Sequence, residues 1–113
     1  MNITEESVGG VSVLRTEGRI DSGNASEFEG HLVRAIGDGS VKLVVDMAKL
    51  SYISSAGLRA LLIAAKKARP SGGRIALSAM APHIREVFDL SGFSSLFEIH
   101  SDEAAAVAAF AGA

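Results

Sequence analysis

Short runs of β-branched and aliphatic residues alternate with amphipathic segments along most of the chain. The first two runs, residues 3–8 and 11–17, flank a Gly-Gly pair, and this pattern predicts a β-hairpin. Residues 41–45 form a nearly continuous apolar run, which is typical of a strand that is buried on both faces. We therefore expect this third run to be the central strand of a sheet and to end at Asp46.

Apolar stripes at helical period lie on either side of this central strand. The first stripe predicts a helix over about residues 25–36, and Asn24 and Glu27 have the spacing of a capping box at its start. The second stripe begins at Leu58 and predicts a helix that ends at Pro70, because proline cannot continue a helix.

The last third of the chain repeats the strand and helix alternation. It predicts a strand over residues 74–79, a helix with Pro82 in its first turn, a short strand over residues 96–100 and a final helix capped by Asp102. The resulting order, β-β-α-β-α-β-α-β-α, predicts one α/β domain over the whole chain. We expect a mixed β-sheet of about five strands, with helices packed against it.

Residues 47–54 are interpreted as the connection from the central strand to the second helix, where open α/β sheets usually place function. Ser54 and Ser55 are candidates for a simple cap there, since the first turn of a helix leaves backbone N–H groups unpaired. The same groups could also hold a phosphoryl group of about −1.5 to −2 charge. A partner that packs over the uncharged loop could not bury that charge, so phosphorylation would end binding.

Two further residues near this connection each allow two interpretations. The missing Cβ of Gly57 suits either a tight strand-to-helix turn or the close approach of a partner or kinase. Asp21 follows the second strand, where its side chain either forms a turn or makes the region around Ser55 acidic and contributes to binding.

Composition and charge restrict the class of protein. A hydrophobic content of 48% with 21% charged residues suits an ordered globular domain. The net charge is −2, and we interpret the cluster of basic residues at 66–74 as a solvated helix end, without direct nucleic-acid binding. No apolar stretch has the length of a membrane span, so we expect no membrane partner. The acidic N-terminus and the absence of cysteine lead us to expect a cytoplasmic protein.

The sequence contains no familiar catalytic or cofactor motif. His31, His83 and His100 fall in separate predicted elements, so we expect no metal site. There is no glycine-rich phosphate loop and no nucleophile-elbow pattern, although a triad assembled in space remains open. We therefore predict a protein that is not an enzyme and uses no cofactor.

Three segments resemble the STAS domain family, which is shared by sulfate transporters and anti-sigma factor antagonists. Residues 46–58, Asp-Met-Ala-Lys-Leu-Ser-Tyr-Ile-Ser-Ser-Ala-Gly-Leu, resemble the strand-to-helix signature of that family. Residues 18–21, Gly-Arg-Ile-Asp, resemble its earlier Gly-x-Leu/Ile-Asp step, and residues 87–93 resemble its Phe-containing segment near the end. The resemblance covers most of the chain and implies the fold of an anti-sigma factor antagonist.

The resemblance also implies a function that depends on one serine. In the antagonists, the serine before the Ser/Thr/Ala-Gly-Leu step is phosphorylated by the anti-sigma factor, itself a serine kinase, and that position is Ser55 here. The unphosphorylated form binds this kinase and so frees a sigma factor, and a PP2C-type phosphatase reverses the modification. The aspartate that usually precedes this serine is Ser54 in this chain, so the local charge is less negative and Ser54 is a second candidate acceptor.

We therefore expect a partner-binding surface around the phosphoacceptor Ser55. Its other predicted residues are Asp21, Ser54, Ala56, Gly57, Leu58 and Arg59. An alternative from the same family is a scaffold domain of a larger signalling assembly or transporter system, without phosphorylation turnover. A nucleotide or lipid bound beside the loop is a third alternative, which no motif in the sequence requires.

Overall fold

The computed structural model describes residues 1–37 and 41–111, without the side chain of Ala111. Within these residues the chain forms five strands, four α-helices and two short 3-10 turns. In chain order the elements are β1 (Asn2–Val8), β2 (Val11–Ile20), α1 (Ala25–Ile36), β3 (Lys42–Ile53), α2 (Ser55–Ala68), a turn (Arg69–Ser71), β4 (Arg74–Ser78), α3 (Pro82–Leu90), a turn (Phe93–Ser95), β5 (Glu98–His100) and α4 (Glu103–Ala111).

The five strands form one mixed sheet in the order β1-β2-β3-β4-β5. β1 and β2 are an antiparallel hairpin, whereas β2, β3, β4 and β5 run parallel to one another. β3 is therefore the central strand, as its continuous apolar run predicted. The prediction of a mixed sheet of about five strands, with helices packed against it, is confirmed.

Two strands are longer than the sequence pattern predicted. β2 continues past residue 17 to Ile20, and β3 continues past Asp46 to Ile53, so residues 47–53 are strand and not a connection. The pairing of β2 with β3 shifts register twice in this stretch, and Gly18 adopts a φ of +87°. Such bulges interrupt the alternation of buried and exposed residues, which is why the pattern was misread as a loop.

Alternate residues of each strand point to opposite faces of the sheet and build two apolar clusters. Helices α1, α2 and α3 cover one face and form the larger cluster, in which Phe28, Leu61 and Phe88 are among the fully buried side chains. α4 covers the other face with a smaller cluster that centres on Phe110. Both faces of the sheet are thus covered, as parallel strands require.

α4 is held on its face by charged side chains as well as by Phe110. Arg15 donates two hydrogen bonds to Glu103, of 2.8 and 2.9 Å, and a third of 2.7 Å to Glu6. The guanidinium of Arg74 lies 4.5 Å from the ring centroid of Phe110. The predicted cap is confirmed at the start of α4, where Asp102 Oδ1 accepts a 2.8 Å hydrogen bond from the N–H of Ala105.

None of the helices within residues 1–37 and 41–111 combines the length and apolar character of a membrane span.

Candidate functional site

The candidate site lies where β2 and β3 end side by side. Because the two strands are parallel, their carboxyl ends meet at the same edge of the sheet, and Ile20 pairs with Ile53. The backbone N–H of Ser54 donates a 2.8 Å hydrogen bond to the carbonyl of Ile20. This bond joins the end of β2 to the start of α2, so Asp21 and Ser55 lie on adjoining segments.

Ser54 is the residue that caps α2. Its Oγ accepts a 3.2 Å hydrogen bond from the N–H of Gly57, and its carbonyl accepts a 3.0 Å hydrogen bond from the N–H of Leu58. The first of these bonds satisfies one of the four N–H groups that a helix start leaves unpaired, and the second is the first backbone hydrogen bond of the helix. The hydroxyl of Ser54 is therefore occupied by the local structure of the helix start.

Ser55 is the first residue of α2, and its side chain is exposed. Among the residues that the structure describes, no hydrogen bond engages its hydroxyl, and the N–H groups of Ser55 and Ala56 have no backbone acceptor. The helix dipole also places positive partial charge at this position. Ser55 therefore presents an accessible hydroxyl beside donors that favour a negative group.

Gly57 and Leu58 lie beneath this surface. Both are buried, and a Cβ atom at Gly57 would come within 2.8 Å of Ile20 Cγ2 and of Ile53 Cγ1. Of the two interpretations of Gly57, the structure therefore shows the tight contact of helix and sheet. Arg59 is exposed, whereas Gly57 and Leu58 are not, and the contact of all three with a partner stays a prediction.

Asp21 forms the turn that follows β2. Its Oδ1 accepts hydrogen bonds from the N–H groups of Gly23 and Asn24, at 2.9 and 3.2 Å. The side chain of Asn24 returns to the same turn, where it accepts from the N–H of Asp21 and donates to the carbonyl of Arg19, both at 2.9 Å. The predicted capping box of Asn24 and Glu27 is therefore wrong, because the Asn24 side chain bonds backward and makes no cap to α1.

The exposed face of α2 carries one residue, Ile63, beyond those that the sequence analysis predicted for the site. Ser55, Arg59 and Ile63 follow one another at four-residue intervals, and all three are exposed. On the paired strands β2 and β3, the exposed guanidinium of Arg19 lies 4.3 Å from the ring centroid of Tyr52. The cross-strand pairing of Arg19 with Tyr52 was hidden because residues 47–53 were interpreted as a loop.

A second polar cluster lies inside the sheet, away from Ser55. Asp46, Ser78 and His100 occupy paired positions on three adjacent strands, and Ser78 Oγ donates a 2.9 Å hydrogen bond to Asp46 Oδ1. A hydrolytic triad would require the serine hydroxyl to donate to a histidine, so this row does not have that geometry. Within residues 1–37 and 41–111, no group of three His, Asp or Glu side chains is placed to hold a metal ion.

Comparison with known proteins finds relatives that cover nearly the whole chain. Residues 2–106 match the family model of the STAS domain. BtrV of Bordetella bronchiseptica, a candidate anti-sigma factor antagonist, is 39% identical over 110 residues, which cover 97% of this chain and 95% of BtrV.

Solved structures with the same fold include an anti-sigma factor antagonist from Mycobacterium paratuberculosis. It has a TM-score of 0.86 and 27% identity, and the match covers 96% of this chain and 92% of that one. The Bacillus protein SpoIIAA is 22% identical and has been solved in two forms. The unphosphorylated form has a TM-score of 0.75, with coverage of 99% and 100%, and the phosphorylated form has a TM-score of 0.73, with coverage of 96% and 99%.

Proposed function

This chain belongs to the STAS domain family and to its anti-sigma factor antagonists, and we propose that it binds an anti-sigma factor serine kinase only while Ser55 is unphosphorylated. Binding of the kinase frees a sigma factor, and phosphorylation of Ser55 releases the kinase again. A PP2C-type phosphatase resets the cycle. In this proposal the protein is a cytoplasmic binding module that catalyses no reaction and needs no cofactor.

The observation that carries the proposal is the division of roles between two adjacent serines. Ser54 supplies the cap of α2, so the hydroxyl of Ser55 is exposed and is not needed to hold the helix start. In the proposed step, the Ser55 oxygen forms a bond to the γ-phosphorus of ATP, and the bond to the β-phosphate oxygen breaks to release ADP. A base of the kinase takes the hydroxyl proton.

The added phosphate is compatible with this fold but not with a partner that covers it. The N–H groups of Ser55 and Ala56 and the helix dipole favour its negative charge, so the domain need not rearrange. The solved phosphorylated form of SpoIIAA, which shares the fold, supports this step. A partner packed over Ser55, Arg59 and the turn at Asp21 would have to bury the charge, at a cost of several kcal/mol.

The test is phosphorylation of the purified protein by its cognate kinase with ATP. One phosphate should appear at Ser55, and Ser55→Ala should abolish it. Ser54→Ala removes the neighbouring hydroxyl and should leave the labelling at Ser55 in place, although loss of the cap should lower the free energy of unfolding by about 1 kcal/mol. Ser55→Asp should weaken binding of the kinase by about tenfold or more, which corresponds to at least about 1.4 kcal/mol.

Labelling that persists in Ser55→Ala would contradict the proposal and direct attention to Ser54 or Ser51. A protein that is never phosphorylated, and whose partners bind wild type and Ser55→Asp equally, would instead favour the scaffold role. A nucleotide or lipid role would require such a ligand to raise the melting temperature, since a ligand that binds only the folded state stabilises it.

A further inference from the structure

Arg59 lies one helical turn beyond Ser55 on the same exposed face of α2. Residues four apart in an α-helix are separated by a rise of about 6 Å, and their Cβ atoms are about 5 to 6 Å apart. In the part of the chain that the structure describes, Arg59 forms no ion pair. Its guanidinium is therefore available to a group attached to the Ser55 hydroxyl.

Resting on the proposed phosphorylation of Ser55, we propose that Arg59 is the counter-ion that holds the phosphorylated side chain against α2. The planar guanidinium can donate two parallel hydrogen bonds to phosphate oxygens. The order also suits a helix, since an acidic group four residues before a basic one is the favourable arrangement. The N–H groups of a helix start are a general feature, whereas Arg59 adds a charge that is particular to this position.

Asp21, which follows Ile20 directly, is the carboxylate on the segment that adjoins the start of α2. Its Oδ1 already accepts two backbone hydrogen bonds, from Gly23 and Asn24. A phosphate with about −1.5 to −2 charge attracts a guanidinium more strongly than a carboxylate with one negative charge. Arg59 should therefore pair with the phosphate once Ser55 is modified.

The test uses full-length protein made with phosphoserine at position 55 during translation, so it requires no kinase. The phosphate is titrated by phosphorus-31 NMR. Arg59→Gln should raise the second pKa of the phosphate by about 0.1 to 0.4 pH units, because the lost cation stabilised the doubly charged form. Arg59→Lys should restore most of the lower pKa, since it keeps the positive charge.

Lys67→Gln is the control, because it removes one exposed positive charge from the same helix. Lys67 is twelve residues from Ser55, a rise of about 18 Å, which exceeds the Debye length of about 8 to 10 Å near physiological ionic strength. The phosphate in the Lys67→Gln variant should therefore have the same second pKa as in the parent protein. Equal titration curves for the parent protein and Arg59→Gln would overturn the role of Arg59 and leave the proposed function standing. A kinase that does not label Ser55 would instead remove the proposed function.

Discussion

Gly57 and Ile20 are packed so closely that a side chain at position 57 has no room. An added Cβ would lie 2.8 Å from Ile20 Cγ2, and Ile53 Cγ1 would be equally close on the other side. The first turn of α2 therefore rests directly on the ends of β2 and β3. This contact sets the height of Ser55 above the sheet, and it links the stability of the domain to the geometry of the site.

Substitution of Gly57 by alanine should destabilise the protein by about 1 to 3 kcal/mol, because the new methyl group forces the two isoleucines apart. The free energy of unfolding in urea measures the effect. Gly30→Ala in α1 is the matched control, since a Cβ there would meet only the end of the Arg34 side chain, at 3.4 Å. That exchange should stabilise by about 0.5 to 1 kcal/mol through helix propensity. Stabilisation by both substitutions would disprove the close contact.

Loss of the Ser78 hydroxyl should destabilise the protein, because it removes the hydrogen bond to the buried carboxylate of Asp46. Ser78 is fully buried and Asp46 is 8% exposed, so Ser78→Ala leaves Asp46 Oδ1 without its donor. We expect a loss of about 1 to 3 kcal/mol in the free energy of unfolding. The double variant Ser78→Ala/Asp46→Ala should lose less free energy of unfolding than the two single variants together, because both partners of the hydrogen bond are removed at once. Ser95→Ala, an exposed control, should change stability by less than about 0.5 kcal/mol.

The ion pair of Arg15 and Glu103 should make the docking of α4 sensitive to acid. Hydrogen bonds from Arg15 lower the pKa of the Glu103 carboxyl below its ordinary value, so the folded state favours the charged form. The stabilisation is therefore present above the unfolded pKa of about 4.3 and is lost as the pH falls through the lower folded pKa. Glu103→Gln should cost about 0.5 to 1 kcal/mol near neutral pH, since the pair is partly exposed.

The check on this ion pair is the difference in free energy of unfolding between wild type and Glu103→Gln. It should shrink toward zero as the pH falls below the lowered folded pKa of Glu103, because the carboxyl is then protonated in both states. Glu5→Gln on the exposed strand β1 removes a carboxylate that is in no ion pair among the described residues, and should show no comparable difference. A difference at Glu103 that stays constant from neutral to acid pH would show that charge pairing does not hold α4.

Asn24 offers a test that separates the sequence interpretation from the structure. Aspartate is as good an N-cap as asparagine, so a capping box would tolerate Asn24→Asp. In the structure the Asn24 amide donates to the carbonyl of Arg19, and a carboxylate cannot. We expect Asn24→Asp to lower the free energy of unfolding by about 1 kcal/mol. Glu27→Gln should be nearly neutral, and an equal tolerance of both substitutions would restore the capping box.

The sequence predicted those features that depend on local pattern. The order of elements, the span of α1 and the central position of β3 follow from apolar spacing. The role of Ser55 rests on the family resemblance and stays a prediction. The ends of β2 and β3 could not be read in this way, because bulged pairing breaks the alternation on which strand prediction depends.

The roles of Gly57, Leu58 and Asn24 were also beyond the sequence pattern. The burial of Gly57 and Leu58 depends on how α2 sits on the sheet, and the direction of the Asn24 side chain depends on where β2 ends. Each is set by tertiary packing, which local spacing does not encode.

The cap on Ser54 has a practical consequence for anyone who alters this chain. Ser54 caps α2 whatever residue stands at position 55, so replacements of Ser55 leave this capping hydrogen bond in place. A library of side chains at that one position would then report only on what an outside molecule tolerates there. Position 55 can therefore be varied while the cap at the start of α2 is kept.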